Sequence, residues 1–599
     1  MKNEPPENSK TGAKKTKRPL FENPWFYVSL MGVMVIGIFW QFLFSDSMLF
    51  GSDTMAGLDA RVLLQEGLRK NFSVPMWLAS RLGGMPTIDA MFGDAFYPPT
   101  LIGLLLGPVY RVLGLRLVFH VFMAGLFFFV LLYRGFRTSA LVAFIGGVFY
   151  MLNSQFFTHI YPGHDGKMFV IAWLPFVVWR LKVLMETPKV LNSVYLGLGI
   201  AICLLTSHIQ MTYFMLWGLF LYWVVSVGLM RGSRPGKIPG AFLGFWGAVV
   251  IGMGLAAVQL YPSFMFVRDA FSVRGVERGF EYAASWSLHW PEALSLWVPE
   301  FCGMNVQKIN TYWSENAFKL NSEYAGAMAL LFGALAIILK AKPWRVFWGG
   351  VALLALFYSL GAHTPVFHLA YAIIPGVKKF RAGSMIMFWF SFAVVLLASL
   401  FFKDLESGVF SSVSEPKKKK WSKGILIAGG ACLGFALLFS LQGFVSGFFG
   451  TLLADPRKKQ LFDLNFPSFT GGLWLWAMFA LTALGFLWGV VNEKVRPRTL
   501  LVVVLLMGVV DLLRIDMRFV ELTNPRQYFG KSTELSSLQS EMQKEPFRVF
   551  SFPGTFQQQN GEGIHGLEGI DGFHDNELRW YREFRGDQQN ANYITSLLG

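Results

Sequence analysis

Charge is scarce in this chain. Only 15% of its 599 residues are Asp, Glu, Lys or Arg, against roughly 25% in an average soluble domain, while 54% are hydrophobic and 16% aromatic. A water-soluble fold of this length has no interior large enough to hide so much apolar surface. Cysteine is scarcer still. Cys203, Cys302 and Cys432 lie far apart, give no disulfide framework and lack metal-ligand spacing. P-loop, GxSxG, HExxH and GxGxxG-led βαβ signatures are also missing, which argues against hydrolysis of cytoplasmic ATP. Nor is there a cleavable signal. The basic stretch from Lys10 to Arg18 runs into an apolar segment without a small-residue cleavage site, and so reads as a signal anchor.

What the chain does have is a series of apolar runs close to the ~20 residues that cross ~30 Å of hydrocarbon. They fall at 25–45, 116–133, 138–153, 167–186, 191–207, 210–230, 238–260, 321–340, 345–361, 380–402, 424–447, 468–490 and 498–515. The expected fold class is an all-α polytopic membrane protein with a bundle of about thirteen transmembrane helices. Segments 100–112 and 365–376 are apolar but short, and read as re-entrant or interfacial helices.

Lys and Arg total 53 and Asp and Glu 37, a formal charge of +16. In a soluble protein this would suggest nucleic acid. Here many cations sit in short loops beside apolar runs, where they set topology, and no nucleic-acid partner is expected. With the basic tail 1–24 cytoplasmic, Arg134/Arg137, Lys182/Lys189, Arg231/Arg234/Lys237, Lys340/Lys342/Arg345, Lys403 with Lys417–Lys420 and Lys423, and Lys494/Arg496/Arg498 share its side. Arg457, Lys458 and Lys459 break the pattern. The remainder divides into a membrane domain, 25–515, with long outer loops at about 46–115 and 261–320, and a tail, 516–599. The tail reads as a small extracytoplasmic α/β segment with a strand-like run at Phe547–Phe552, and its stop at Leu597-Leu598-Gly599 suggests truncation.

Long outer loops are candidate sites, because a plain linker needs only a few residues. The first opens with Gly51-Ser52-Asp53 and continues through Asp59 and Asp94. A carboxylate beside a glycine turn at the membrane surface suits a general base for a hydroxyl, or an N-cap for the amphipathic stretch 54–70. Trp77 and Tyr97 in the same loop suit a site or an interfacial aromatic belt. In the turn Tyr161–Lys167, the adjacent polar groups His164, Asp165 and Lys167 suit either phosphate binding or a self-satisfied turn. His208 and Gln210, in Ser207-His208-Ile209-Gln210, suit a cap or a ligand. Gln259, Glu323 and Arg381 lie near outer span ends. With Lys378 and Lys379, Arg381 makes a cationic group fit for a lipid-linked phosphate or for headgroup anchoring.

Several motifs together resemble the bacterial YfhO-like membrane protein family: Pro75-Met76-Trp77, Gly84-Met85-Pro86, Tyr97-Pro98-Pro99, Trp173-Leu174-Pro175, Ser207–Gln210 with Tyr213, Gln259–Pro262, Glu323–Gly326, Gly361–Pro365, Phe380-Arg381, Asp511, Phe547–Val549 and Gly566–Gly572. That family resembles a branch of the GT-C glycosyltransferases. The resemblance implies a bacterial inner-membrane enzyme that moves a sugar from a polyprenyl-phosphate donor to an envelope glycan, lipid or polymer acceptor on the outer face. It implies Asp53 as base; in the transferase reading Asp94 or Asp59 orients the acceptor, Arg381, Lys167 and His164 neutralise the leaving phosphate, and the two long loops are expected to fold over one cavity that brings Asp53, Asp94, His164 and Arg381 together. Membrane lipids would be its surroundings. No cofactor is certain, and a divalent metal is an option. A transporter or flippase, or a non-catalytic scaffold in envelope glycan assembly, are the alternatives; transporters often carry internal repeats, and the halves of this chain show no convincing one.

Overall fold

The computed structural model describes residues 22–586, except 92, 276–277, 307–308, 317–322, 411–412 and 553. The basic tail as far as residue 21 and the chain end at Leu597-Leu598-Gly599 lie outside the described residues. Among the described residues, eight helices are long and apolar enough to cross a membrane. They are Val109–Gly135, Ala140–Thr158, Asp165–Glu186, Ile209–Ser233, Pro235–Leu255, Gly383–Glu406, Glu415–Phe439 and Pro456–Val491. The chain is a multi-pass membrane protein. The other five expected spans coincide with helices that fall short of that standard. Pro24–Ile38, Val190–Leu205, Ala327–Ile338 and Pro343–Ser359 have 15, 16, 12 and 17 residues, and Pro497–Asp516 carries Arg498, Asp511, Arg514 and Asp516.

Some boundaries move for local reasons. Segment 100–112 is not one element. Pro98–Leu106 is a short helix that stops at Gly107-Pro108, and the following helix starts at Val109 rather than 116, with Pro108 as its N-cap; proline ends one helix and is tolerated at the start of the next. The Lys417–Lys420 run is the first turns of the helix Glu415–Phe439, not a loop. Pro456–Val491 has 36 residues, about 54 Å of helix, so its basic first turns extend past the hydrocarbon.

Contacts gather the basic loops at one end of the bundle. Lys403 donates to the Phe136 carbonyl at 2.8 Å, Lys182 lies over the Phe136 ring, and Lys237 donates to the Glu186 carbonyl at 2.6 Å. Lys458, one of the cations that breaks the charge pattern, pairs with Glu315 of the second long loop, and Lys459 pairs with Asp463 at 2.5 Å. Local carboxylates thus balance these cations beside that loop. The helix Met387–Glu406 is buried on nearly every side and packs against Ala140–Met151, Ala327–Ile338 and Pro343–Ser359, as a helix that is apolar all round should.

The tail does not stand apart. Leu522–Thr523 pairs antiparallel with Met48–Leu49 at the start of the first long loop. The expected strand at Phe547–Phe552 is shorter, Arg548–Val549, and pairs in parallel with Glu568–Gly569. Leu82 and Gly83 donate their backbone N–H groups to the carbonyls of Asp571 and Gly569 at 3.0 and 2.9 Å. Residues 517–586 are therefore knitted to the first loop.

Candidate functional site

Two short backbone segments cross at the heart of the site. The N–H groups of Ser52 and Asp53, at the start of the helix Ser52–Ala56, donate to the carbonyls of Tyr161 and Pro162 at 3.1 and 2.9 Å. Only glycine permits that approach. A Cβ on Gly51 would sit 2.8 Å from the Ile160 carbonyl oxygen, and one on Gly163, whose φ is +76°, would collide with the Thr54 backbone. Thr54 Oγ1 donates to Asp165 Oδ1 at 3.1 Å, tying the two segments together through side chains as well.

Asp53 does not cap a helix. The N-cap positions nearby are Gly51 and Gly57, and the Asp53 side chain, 68% exposed, instead opens onto a cavity of about 540 Å³ with its Oδ2 3.4 Å from His164 Nε2. Lys167 Nζ lies 3.0 Å from His164 Nδ1. An ammonium only donates, so Nδ1 accepts and the ring proton sits on Nε2, facing Asp53. Burial, then the Lys167 charge, hold His164 well below the usual histidine range, and the ring lies between the Lys167 ammonium and the Asp53 carboxylate. The cavity walls near Asp53 raise its pKa, and Lys167 opposes the rise.

The second long loop and the segment 381–387 supply the facing wall. Arg381 lies there, its guanidinium over the Tyr282 ring and its carbonyl held by Gln210 Nε2. Ala382 N–H donates to the Ser285 carbonyl at 2.9 Å and Ser384 Oγ to that of Trp286 at 2.7 Å, which fixes the segment. Among the described residues no carboxylate pairs with Arg381. Glu323 also lines the cavity; its neighbour Tyr324 donates to Asp511 Oδ2 at 2.7 Å, and Asp511 accepts the Ala327 N–H at 2.8 Å, which anchors the start of that helix.

Other expected site residues lie elsewhere. Asp59 is buried and accepts hydrogen bonds from Ser80 and Arg81 at 2.8 and 2.7 Å. Asp94 is clamped between Arg61 and Arg116 with Thr100 donating to it. Burial alone would raise its pKa, but Arg116, Arg61 and Thr100 outweigh burial and hold it at about 2. Neither aspartate is on the cavity wall, which corrects the expectation that Asp94 shares the cavity with Asp53, His164 and Arg381. The physical reason is that each has an arginine partner in reach. Asp94 is instead linked to the site at one remove, because Arg116 also donates to Asp165 at 2.9 Å, and Asp165 holds Thr54. Tyr97 is not part of an interfacial belt. It is fully buried, with its hydroxyl against His120 Nε2 and accepting from Trp173 Nε1 at 2.8 Å. Trp77 is half exposed on a short strand paired with Met85–Pro86. His208 caps the helix Ile209–Ser233 by accepting from Met211 N–H, and Gln259 donates to the Ile88 carbonyl at 2.9 Å, pinning the first loop.

The cavity wall also includes residues without a sequence signal: His159, Glu292 and Asn316. His159 sits in an aromatic run and is held neutral by burial and then by Lys167. Among the described residues, no group of three or more His, Cys, Asp or Glu side chains is placed to hold a metal ion.

No protein-family model matches the chain, and no curated protein is significantly similar to it. Among solved structures, it is similar to ArnT from Cupriavidus metallidurans bound to undecaprenyl phosphate, with a TM-score of 0.45 and 12% identity over 90% of this chain and 85% of that one. The apo state of the same protein gives 0.45 and 13% over 93% and 88%. The archaeal oligosaccharyltransferase AglB from Archaeoglobus fulgidus, in complex with an inhibitory peptide and a dolichol-phosphate, gives 0.41 and 9% over 92% and 64%. These low-scoring likenesses concern overall helical arrangement, and no residue role passes across them.

Proposed function

We propose that this protein is a GT-C-type membrane glycosyltransferase that transfers a sugar from a polyprenyl-phosphate donor to a hydroxyl of an envelope glycan, lipid or polymer on the outer face of a bacterial inner membrane. The observation that carries this reading is one cavity lined both by a carboxylate, Asp53, and by a cation without a carboxylate partner among the described residues, Arg381. The acceptor hydroxyl attacks the anomeric carbon as Asp53 takes its proton. The bond from that carbon to the phosphate oxygen breaks, inverting the centre. Arg381 and Lys167 meet the charge left on the lipid phosphate, an electrostatic contribution made by groups already in place. His164, with Nε2 3.4 Å from Asp53 Oδ2, steadies the carboxylate beside the acceptor.

Purified protein in proteoliposomes should transfer radiolabelled sugar from a polyprenyl-phosphate donor to an envelope glycan fraction. A folded protein that transfers to none of the fractions offered overturns the reading. Arg381→Ala should weaken binding of polyprenyl phosphate by roughly 10- to 100-fold, the scale of a charge-assisted hydrogen bond; titration with the lipid measures it, and unchanged affinity rejects Arg381 as the phosphate partner. The positive-inside pattern supports a cytoplasmic Ser414 and an outer Ser532. Cysteines at these positions should react with an impermeant maleimide from opposite sides.

A further inference from the structure

The second long loop presents one amide in a single, chemically fixed orientation. Glu292 is buried and accepts three donors: His289 N–H at 2.9 Å, Tyr312 Oη at 2.5 Å and Asn316 Nδ2 at 3.1 Å. Asn316 Nδ2 also donates to the Ser287 carbonyl at 3.0 Å, and the Asn316 N–H donates to Tyr312 Oη at 2.9 Å. A flipped amide would set its oxygen against a carboxylate and a carbonyl, acceptor against acceptor, so the orientation is not free. Nδ2 is thus used on the protein, and Oδ1 has no partner among the described residues while Asn316 lines the cavity.

We infer that Asn316, keyed by Glu292, is a sugar-reading acceptor, and that the glycosyl group it reads is uncharged and rich in hydroxyls. This rests on the transferase reading above and narrows it. An oriented carbonyl oxygen matches a hydroxyl donor. Three carboxylates, Asp53, Glu292 and Glu323, line the same cavity. Lys167 and Arg381 are both assigned to the phosphate, so a carboxylated sugar such as a uronate would meet like charge here. Asn316 therefore selects by hydrogen bond and the acidic wall by repulsion, the attractive and repulsive halves of specificity.

Binding of three lipids to the full chain in nanodiscs, without acceptor, tests this: bare polyprenyl phosphate, polyprenyl-phosphate-glucose and polyprenyl-phosphate-glucuronate. The glucose lipid should bind about tenfold tighter than the glucuronate lipid, roughly the worth of one hydrogen bond in an affinity. Asn316→Ala should lower affinity for the glucose lipid several-fold and leave bare polyprenyl phosphate unchanged. Glu292→Gln, with its thermal melt taken as a check on folding, should narrow the preference by freeing the amide to turn. Equal binding of the two glycolipids, or an Asn316→Ala protein that binds the glucose lipid normally, overturns the assignment while the transferase reading stands. Failure of even bare polyprenyl phosphate to bind rejects the transferase reading, and this assignment falls with it.

Discussion

Asp53→Asn should abolish nearly all transfer while the protein expresses, folds and binds donor as before. Removing a positioned general base costs roughly 10²–10⁴-fold in rate, and the amide keeps the size of the carboxylate. Among the described residues the side chain caps no helix and anchors no buried ion pair; it is exposed and lies 3.4 Å from His164. Stability should therefore be unaltered, and a melt on the same preparation as the turnover assay separates the two effects. The pH profile gives a second reading. A base works only when deprotonated, and the protein around Asp53 raises its pKa. The acid limb of the wild-type profile should thus lie above that of a free aspartate, with activity rising as pH increases through it. Transfer by the Asn variant within a few-fold of wild type would remove Asp53 from the mechanism.

The second large effect is on stability. Arg116→Leu leaves Asp94 with Arg61 as its one arginine partner among the described residues and removes the guanidinium that Asp165 pairs with at 2.9 Å. Breaking one partner out of a buried ionic network typically costs about 3–5 kcal/mol, because the remaining charge stays buried without compensation. Unfolding by SDS titration should show a loss of that order. Thr54, held by Asp165 at 3.1 Å, should lose its fixed position as well, so residual activity should fall further than the folded fraction does. A variant within about 1 kcal/mol of wild type would mean that the network is not what secures the crossing of the two site segments.

How much of this was legible beforehand follows the range of each signal. Apolar run length is local, and it located every helix long enough to cross the membrane. It did not see that Pro108 starts a helix early or that Lys417–Lys420 is helical, because charge on a helix that protrudes from the bilayer looks like charge in a loop. The motifs pointed at Asp53, His164, Lys167, Glu323 and Arg381, all of which line one cavity. Asp59 and Asp94 looked equivalent to Asp53 because a carboxylate's chemistry depends on its neighbours, and Arg81 and Arg116 lie 22 residues from their aspartates. Asn316 and Glu292 carried no pattern at all, since their meaning is a hydrogen-bond arrangement made by the fold.

The pairing of Met48 with Thr523 sets the order in which the protein can be finished. These strands are 475 positions apart, so at ~5–20 residues per second the ribosome needs about half a minute to a minute and a half to supply the second after the first. Through that interval the edge of the loop bearing Asp53 is unpaired, and the helices can assemble without it. Closure of the site is then a late event that waits on residues 517–586. A chain ended at 516 would retain the membrane helices and the site carboxylate, yet lack the strand and the Asp571 and Gly569 carbonyls that hold the first loop in place. In such a chain, insertion and activity would come apart.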